Sequence, residues 1–584
     1  TGDGLVVAVI DSGLNVNHAA FADASLVKSP AISKADVEAF AKKGGTAGRY
    51  LSSKIPFVYD YYSNDTDVTS SNQHGTHVTA LAAGYAGGQN GFRGAAPGAQ
   101  ILGLKIFPDG SGSGTNDTII LRALEDAWNL GADVINISVG TGAGFSASDV
   151  MDGLYCRAFR QMAEDGVIVC AAAGNSKPTV MSNTWSQALP TGAYTDYSSL
   201  FSPGSLYGAV AVAASSRDGK GGMEIADYSS WGPASGLHLC PALTAFGGPV
   251  NAASASDNTA YRSETGTSMA SGSMSGHFAV LLQALRERGI TGRREAAALA
   301  QSLAESTAAL LTDGETGLPV SPRRQGAGYI DLAAAAESEL VVMNPLVELG
   351  ESGDGKFTMN LTIRNLSGEA AAVSLDTVVL TDRYVQEDGV FYSCMAPEDI
   401  TSGVSVTGDG AVTIPAKGEV TVKLDLAVGD SLRRKLAEVY SNGFYVEGYV
   451  TATGGNQPVH AAFLGYCGDW EAGPVLEPSD FRDVQDAEYR LSGGKDVAWR
   501  TADLVKKSGY LRETGVNLGA NLAFLSDRKD GAAEDGVLLG ANSRIYALHH
   551  DVRNAVPAQN GNATATAGGI LRLDLYSLRN AAGV

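Results

Sequence analysis

Three short runs carry the residue types needed to move an acyl group: Val9-Ile10-Asp11-Ser12-Gly13, Gln73-His74-Gly75-Thr76-His77 and Glu264-Thr265-Gly266-Thr267-Ser268-Met269-Ala270-Ser271. A serine hydroxyl is a poor nucleophile at neutral pH until a neighbouring base takes its proton. His74 is the candidate base, because an unperturbed imidazole titrates near ~6.5 and can return the proton to a leaving amine. Asp11 would hold the other ring nitrogen and stabilise the imidazolium. A fourth run, Val167 to Asn175, ends in Gly-Asn. If the Asn175 amide points at the site, it pairs with the Ser268 backbone N–H as an oxyanion hole worth roughly 3–4 kcal/mol.

The elements that would position these groups are readable around them. Leu5 to Ile10 is an apolar run suited to a buried parallel strand, and it ends at Asp11. Open α/β sheets place their sites at such strand ends. His74 opens a helix predicted over His74 to Ala83. Ser268 stands at or just before a helix in which Met274, Phe278, Leu281, Leu282 and Leu285 recur at helical spacing. Free N–H groups and partial positive charge at that helix start favour an oxyanion. Between the motifs the pattern alternates: a helix from Ile120 to Leu130, a strand Val134 to Ile137, a helix from Asp149 to Glu164, then the Val167 strand. That rhythm implies a parallel sheet with right-handed crossovers.

Taken singly, each motif has an ordinary reading: Asp11 a strand-end cap, His74 a helix-start polar residue, Asn175 a turn former, Ser268 an N-cap. Together, in the order Asp, His, Ser, they resemble the subtilisin-like serine proteases, since other folds thread the same triad in other orders. The resemblance rests on the Asp11 motif, HGTH at His74, AAAGN at Asn175 and GTSMA at Ser268, with Gly94 to Ala99 and Ile135 to Gly140 in support. It implies an α/β fold of three layers with a mostly parallel sheet, and serine endopeptidase activity. It also implies that a peptide binds as an added strand between the Gly110–Gly114 segment around Gly112 and the edge Ser138-Val139-Gly140. Lys54 to Asp60 and Ser321 to Gly328 extend the resemblance to the lactocepin-like cell-envelope proteinases of Gram-positive bacteria. Those often insert a domain between the Asn and Ser motifs; here 93 positions separate Asn175 from Ser268, too few for one. Two departures stand out. Ser271-Gly272 replaces the family's Ser-Pro, which is expected to loosen the helix start, and the loop Cys240 to Gly247 lacks an acidic residue and a second proline.

The remaining histidines read as structural. His77, one helical turn from His74, suits packing or a supporting hydrogen bond; His18, His238 and His277 suit ordinary structural roles; and His549-His550-Asp551 suits solvent, because adjacent residues of an extended segment face opposite ways.

At 584 residues the chain should hold two to four domains. A net charge of −21 argues against nucleic-acid binding and suits an exported or surface protein acting on proteins or peptides. Five cysteines give no disulfide framework, and Cys170 reads as a buried thiol. No apolar run is long enough for a transmembrane helix, and the start is not a signal peptide. Thr1 lies only ten residues before Asp11, so the chain reads as a fragment without its export signal, with cell-wall attachment left to missing C-terminal parts.

Domain bounds are expected at 1–338 for the peptidase, 339–470 for a fibronectin-type antiparallel β-sandwich and 471–584 for a further β-rich domain. The sandwich is signalled by period-two alternation at Phe357, Met359, Leu361 and Ile363 and at Val420, Val422, Leu424 and Leu426. No metal ligand is assigned and no cofactor is required; Asp527 to Gly531 and Glu534 to Gly536 carry carboxylates suited to Ca2+, but their spacing matches no known loop. The rival reading is a catalytically idle adhesion protein. An α/β-hydrolase esterase is disfavoured, because the serine comes last and no G-x-S-x-G elbow surrounds it.

Overall fold

The computed structural model describes residues 1–87, 91–110, 114–142, 150–176, 189–190, 198–387, 390–440, 442–470, 476–477 and 545–546. Ser111 to Ser113, including Gly112, and the runs Asp527 to Gly536 and His549 to Asp551 lie outside the described residues, as does nearly all of the expected third domain.

The first unit is built on an eight-stranded sheet. Its strands are β1 (Val6–Asp11), β2 (Phe57–Asp60), β3 (Gln100–Lys105), β4 (Val134–Ile137), β5 (Ile168–Ala172), β6 (Ala209–Arg217), β7 (Met223–Ile225) and β8 (Leu243–Phe246). They lie in the order β7-β6-β5-β4-β1-β3-β2, with β8 also paired to β6, and β7 alone runs antiparallel. The helices that position the site and cover the sheet include α1 (His74–Ala83), α2 (Asp117–Asn129), α3 (Val150–Glu164), α4 (Thr267–Glu287) and α5 (Arg293–Ser306).

The alternation of β1 explains the layering. Val7 and Val9 pack in one core with Val78 and Ala82 of α1 and Met274, Phe278 and Leu282 of α4. Val6, Ala8 and Ile10 face the other core, with Ile120 and Leu124 of α2 and Tyr155 and Phe159 of α3. A strand covered on both faces has no polar side, so it reads as a continuous apolar run. Burying each of the larger side chains contributes roughly 1.5–3 kcal/mol. The chain leaves β1 towards β2 and β3 on one side and crosses to β4 and β5 on the other. The strand order thus reverses beside β1, which opens a crevice at the C-terminal strand ends.

The Ser-Gly step does not loosen α4, which runs unbroken for 21 residues. Gly272 and Gly276 face α1: a Cβ on Gly272 would lie 2.9 Å from Val78 Cγ1, and one on Gly276 would overlap the Ala82 carbonyl oxygen. Their missing side chains let the two helices approach closely, and that packing offsets the roughly 1 kcal/mol helix penalty of each glycine. Lys54, from the run noted above, is buried, and its Nζ donates to Pro97 O and Ala99 O at 2.7 Å each.

The second unit is a sandwich. One sheet has the order β9-β11-β16-β14, made of β9 (Leu340–Val342), β11 (Lys356–Asn365), β16 (Glu419–Val428) and β14 (Val404–Gly408). The other has the order β10-β18-β17-β12-β13, made of β10 (Leu346–Glu351), β18 (Val459–Gly468), β17 (Gly443–Thr453), β12 (Ala371–Glu387) and β13 (Val390–Asp399), with β15 (Ala411–Ile414) on β12 and the short strand Leu189–Pro190 on the outer side of β13. Neighbours are antiparallel except β10 and β18. The eight residues that signalled the sandwich lie directly opposite one another: Phe357 faces Leu426, Met359 faces Leu424, Leu361 faces Val422 and Ile363 faces Val420.

Strands β17 and β18 have no solvent face. Val446, Val450, Ala461 and Phe463 fill the sandwich core, while Tyr445, Tyr449, Ala462, Leu464 and Tyr466 pack against Leu237 and Leu239 of the first unit. The Ser321–Gly328 run docks here. Arg323 is fully buried; its Nε donates to Glu447 Oε2 at 2.9 Å and its Nη2 to Asp382 Oδ1 at 2.6 Å. Its guanidinium lies 3.7 Å from the Tyr445 ring centre.

Candidate active site

Asp11 closes β1 and is buried. Its Oδ1 accepts from the Ser12 N–H at 2.6 Å and from His74 Nδ1 at 2.7 Å. A carboxylate at Nδ1 requires a proton there, which leaves Nε2 as the acceptor nitrogen of the neutral ring. The ring reaches Asp11 because position 75 is glycine: a Cβ there would overlap the Gly13 carbonyl and come 3.0 Å from Asp11 Oδ1. Gly75 N–H instead donates to Ser12 Oγ at 3.0 Å, tying the strand end to the helix start.

A hairpin braces that helix from the other side. Its strands, Val250–Ala253 and Tyr261–Glu264, lead directly into α4. Ser254 Oγ donates to Gln73 Oε1 at 2.6 Å, and His77 Nε2 lies 3.1 Å from the carbonyl oxygens of both Val250 and Arg262. His18 Nε2 reaches Ala260 O at 2.8 Å. His77 and His18 are therefore packing residues that hold the hairpin, and His238 pairs with Glu348 near the junction.

Ser268 lies in the first turn of α4, where its N–H has no intrahelical acceptor. Its Oγ donates to Ser138 O at 3.1 Å rather than to His74. Ser138 Oγ donates in return to Ser268 O at 2.9 Å and accepts from Asn136 Nδ2 at 2.9 Å. Asn136 Oδ1 accepts from Ser271 Oγ at 2.7 Å and Ser275 Oγ at 3.2 Å. The end of β4 is thus laced to the start of α4, and Val139 and Gly140 continue that edge past the serine.

Asn175 follows β5. Its Oδ1 accepts from both Thr267 N–H and Thr267 Oγ1 at 2.9 Å. Those two donors fix which way the amide faces. Nδ2 is left without a partner among the described residues and sits 3.4 Å from where a Gly266 side chain would begin. The glycine keeps that space beside Nδ2 open.

The charges are separated by environment. Burial pulls His74 down, but the Asp11 charge, its hydrogen bond and the Glu264 charge outweigh it, so the imidazole sits above its ordinary value. Burial holds His77 below its ordinary value and takes His277 down to about 4. It also pushes the Cys170 thiol up to about 12, which keeps it inert. Among the described residues no group of three or more His, Cys, Asp or Glu is arranged to hold a metal ion.

Motif reading did not find Asn136, Thr267 or the hairpin. Asn136 had a signal, a polar residue inside an otherwise apolar buried strand, which has to be hydrogen-bonded. Gly112, expected to form one wall of the substrate groove, lies outside the described residues; Ser138 to Gly140, expected as the other wall, follow directly on β4.

The pattern of the subtilase family matches residues 2–328, and that of an Fn3-like domain matches residues 347–462. The chain is 24% identical over 654 residues to a PI-type proteinase of Lactococcus lactis subsp. cremoris, an overlap of 82% of this chain and 33% of that protein. It is 23% identical over 638 residues to a C5a peptidase of Streptococcus pyogenes serotype M1, covering 85% and 52% respectively. Among solved structures, the prenylagaramide maturation protease PagA aligns at 22% identity and a TM-score of 0.39, covering 57% of this chain and 92% of that one. The chain spans one third to one half of the length of these two curated relatives.

Proposed function

This chain belongs to the subtilase family, and from that premise we propose that it is a serine endopeptidase in which Ser268 is the nucleophile, His74 the general acid and base, and Asp11 its orienter. Asn175 Nδ2 and the Ser268 N–H then form the oxyanion hole. In the first step the Ser268 hydroxyl leaves Ser138 O and turns to His74 Nε2. Its oxygen attacks the substrate carbonyl as its proton passes to Nε2. The carbonyl oxygen takes up negative charge between the two N–H donors. His74 then protonates the leaving amine, the C–N bond breaks and an acyl-Ser268 remains. Water, deprotonated by His74, attacks that ester; the acid departs, and the proton returns to Ser268. Asp11 keeps Nδ1 protonated throughout and offsets the imidazolium charge.

One observation supports this most: the 2.7 Å Asp11–His74 bond fixes the tautomer whose free nitrogen is the base. The substrates would be proteins or peptides, laid along Ser138, Val139 and Gly140 as an added strand, with Gly112 on the facing wall. Every step uses a protein group or water, so the reading requires no cofactor. Among the described residues no helix is long and apolar enough to cross a membrane. We place the enzyme outside the cell or at its surface, where cell fractionation can find it.

The test is a mixed peptide library read by mass spectrometry. Internal cleavage by the wild-type chain and none by Ser268→Ala is the expected result. An uncut library would favour the idle adhesion protein.

A further inference from the structure

The C-terminal ends of β1, β3 and β2 form one charged row. Asp11 stands opposite Lys105 and Lys105 opposite Asp60, each the last residue of its strand. They follow Val9, Ile101 and Val58 at even spacing, and those three pack in the core shared with α1 and α4, so the whole row leaves the sheet on that face. Neighbouring strands lie about 4.8 Å apart, which puts a cation one strand away from the carboxylate that holds His74. The Lys105 side chain is fully buried; its Nζ donates to the buried Asp60 and lies 2.8 Å from Oδ1 of the exposed Asp109. The other oxygen of Asp60 accepts from the Tyr62 and Ser63 N–H groups at 2.9 and 3.0 Å. None of the acyl-transfer steps uses Lys105.

The stem of Lys105 lies against the turn that follows Asp11. Gly13 has φ +123°, and a Cβ there would come 2.6 Å from Val68 O, 2.8 Å from Ser70 Cβ and 3.1 Å from Lys105 Cδ. The Lys105 methylenes therefore back the side of Gly13 that a larger residue would fill. From Gly13 the contacts continue to the base: a Cβ at Gly75 would come 2.2 Å from Gly13 O, and the Gly75 N–H donates to Ser12 Oγ at 3.0 Å, with His74 next along the chain. We propose that Lys105 is a positioning residue for the triad, whose buried stem backs the Ser12-Gly13 turn and so keeps Asp11 at its distance from His74. The two carboxylates pin the far end of the stem and neutralise its charge. The inference rests on the reading of Asp11 and His74 as orienter and base.

The experiment measures kcat and KM per folded molecule, below each variant's unfolding midpoint, in an Asp60→Asn background. That change strands no buried carboxylate when Lys105 is replaced, and it keeps the oxygen that Tyr62 and Ser63 bond. Lys105→Met retains an unbranched stem and should keep kcat near the wild-type value. Lys105→Ala removes the stem and should lower kcat by roughly 10–100-fold with KM little changed, because a small misplacement of the base acts on the chemical step. With Asp11→Asn added, itself costing about 10⁴ in kcat, the Ala change should cost little more, since groups that act as a unit are not additive. Packing loss alone would cost the same with or without Asp11. Should the Ala variant not fold, Lys105→Val, whose side chain stops at Cγ, takes its place. Equal kcat in the Met and Ala variants, or an Ala loss that persists in full beside Asp11→Asn, would overturn the proposal. Failure of the triad reading looks different: Asp11→Asn alone would then keep the wild-type kcat.

Discussion

At the end of β1 a buried carboxylate meets an imidazole that is 31% exposed; at the junction between the units a guanidinium meets two carboxylates, and all three are sealed from solvent. Both are ion clusters tied by short hydrogen bonds, yet they differ in what may change. His74 can lose its proton, and its ring is partly open to solvent. Arg323 cannot: burial works against its charge, but Asp382, Glu447 and the Tyr445 ring outweigh it, so it stays charged at any ordinary pH. A site that performs proton transfer needs a titrating group with access, whereas a joint between domains needs a charge that is fixed. The junction also has more to lose, since Arg323 is the one cation between two buried carboxylates and each of its partners is buried with it.

That contrast can be broken from either side. Ser268→Ala should cost about six orders of magnitude in kcat while leaving the unfolding midpoint nearly in place, because among the described residues the hydroxyl's one bond is to Ser138 O. Glu447→Ala should do the opposite. It removes the acceptor of Arg323 Nε and of Ser321 Oγ, leaves Arg323 with Asp382 alone, and should lower the unfolding free energy by about 1–3 kcal/mol in urea titration, with activity per folded molecule unchanged. Asn175→Ala should reduce kcat by about 10²–10³ with little change in KM, as removal of one oxyanion donor does.

The smallest effect is in pH. His74 is held above its ordinary value, so its base form appears only as pH climbs past that raised value. The acid limb of kcat/KM should therefore have its midpoint above ~6.5. The stability that the charged His74–Asp11 pair adds follows the same sign: it is complete below the unfolded value of ~6.5 and lost as pH rises through the folded one. Denaturant titration across that window at constant salt measures it.

Much of this was legible in the sequence wherever a residue's role is written in its own neighbours. The β1 run, the α1 and α4 helices and the paired alternation of β11 and β16 follow from periods of 3.6 and 2, and the structure has them at the expected places. The motif residues could be named, but not how their side chains point. Ser138 is bonded to a residue 130 positions away, and Asn175 is oriented by one 92 positions away. Gly272 was read as a weak point because its partner, Val78 of α1, could not be seen from the sequence. Arg323 lay in a run noted only for its resemblance; its burial depends on Glu447, 124 positions on. Strands β17 and β18 escaped the alternation rule because the first unit covers the face that would otherwise be polar.

In the proposed mechanism one hydroxyl, that of Ser268, is made nucleophilic by His74. Reaction with a fluorophosphonate, followed by peptide mapping in a mass spectrometer, tests it most directly. A single adduct is expected, on Ser268, forming faster as pH rises through the His74 titration and absent from Ser268→Ala. Labelling that persists in Ser268→Ala, or an active enzyme whose Ser268 stays unmodified, would contradict it.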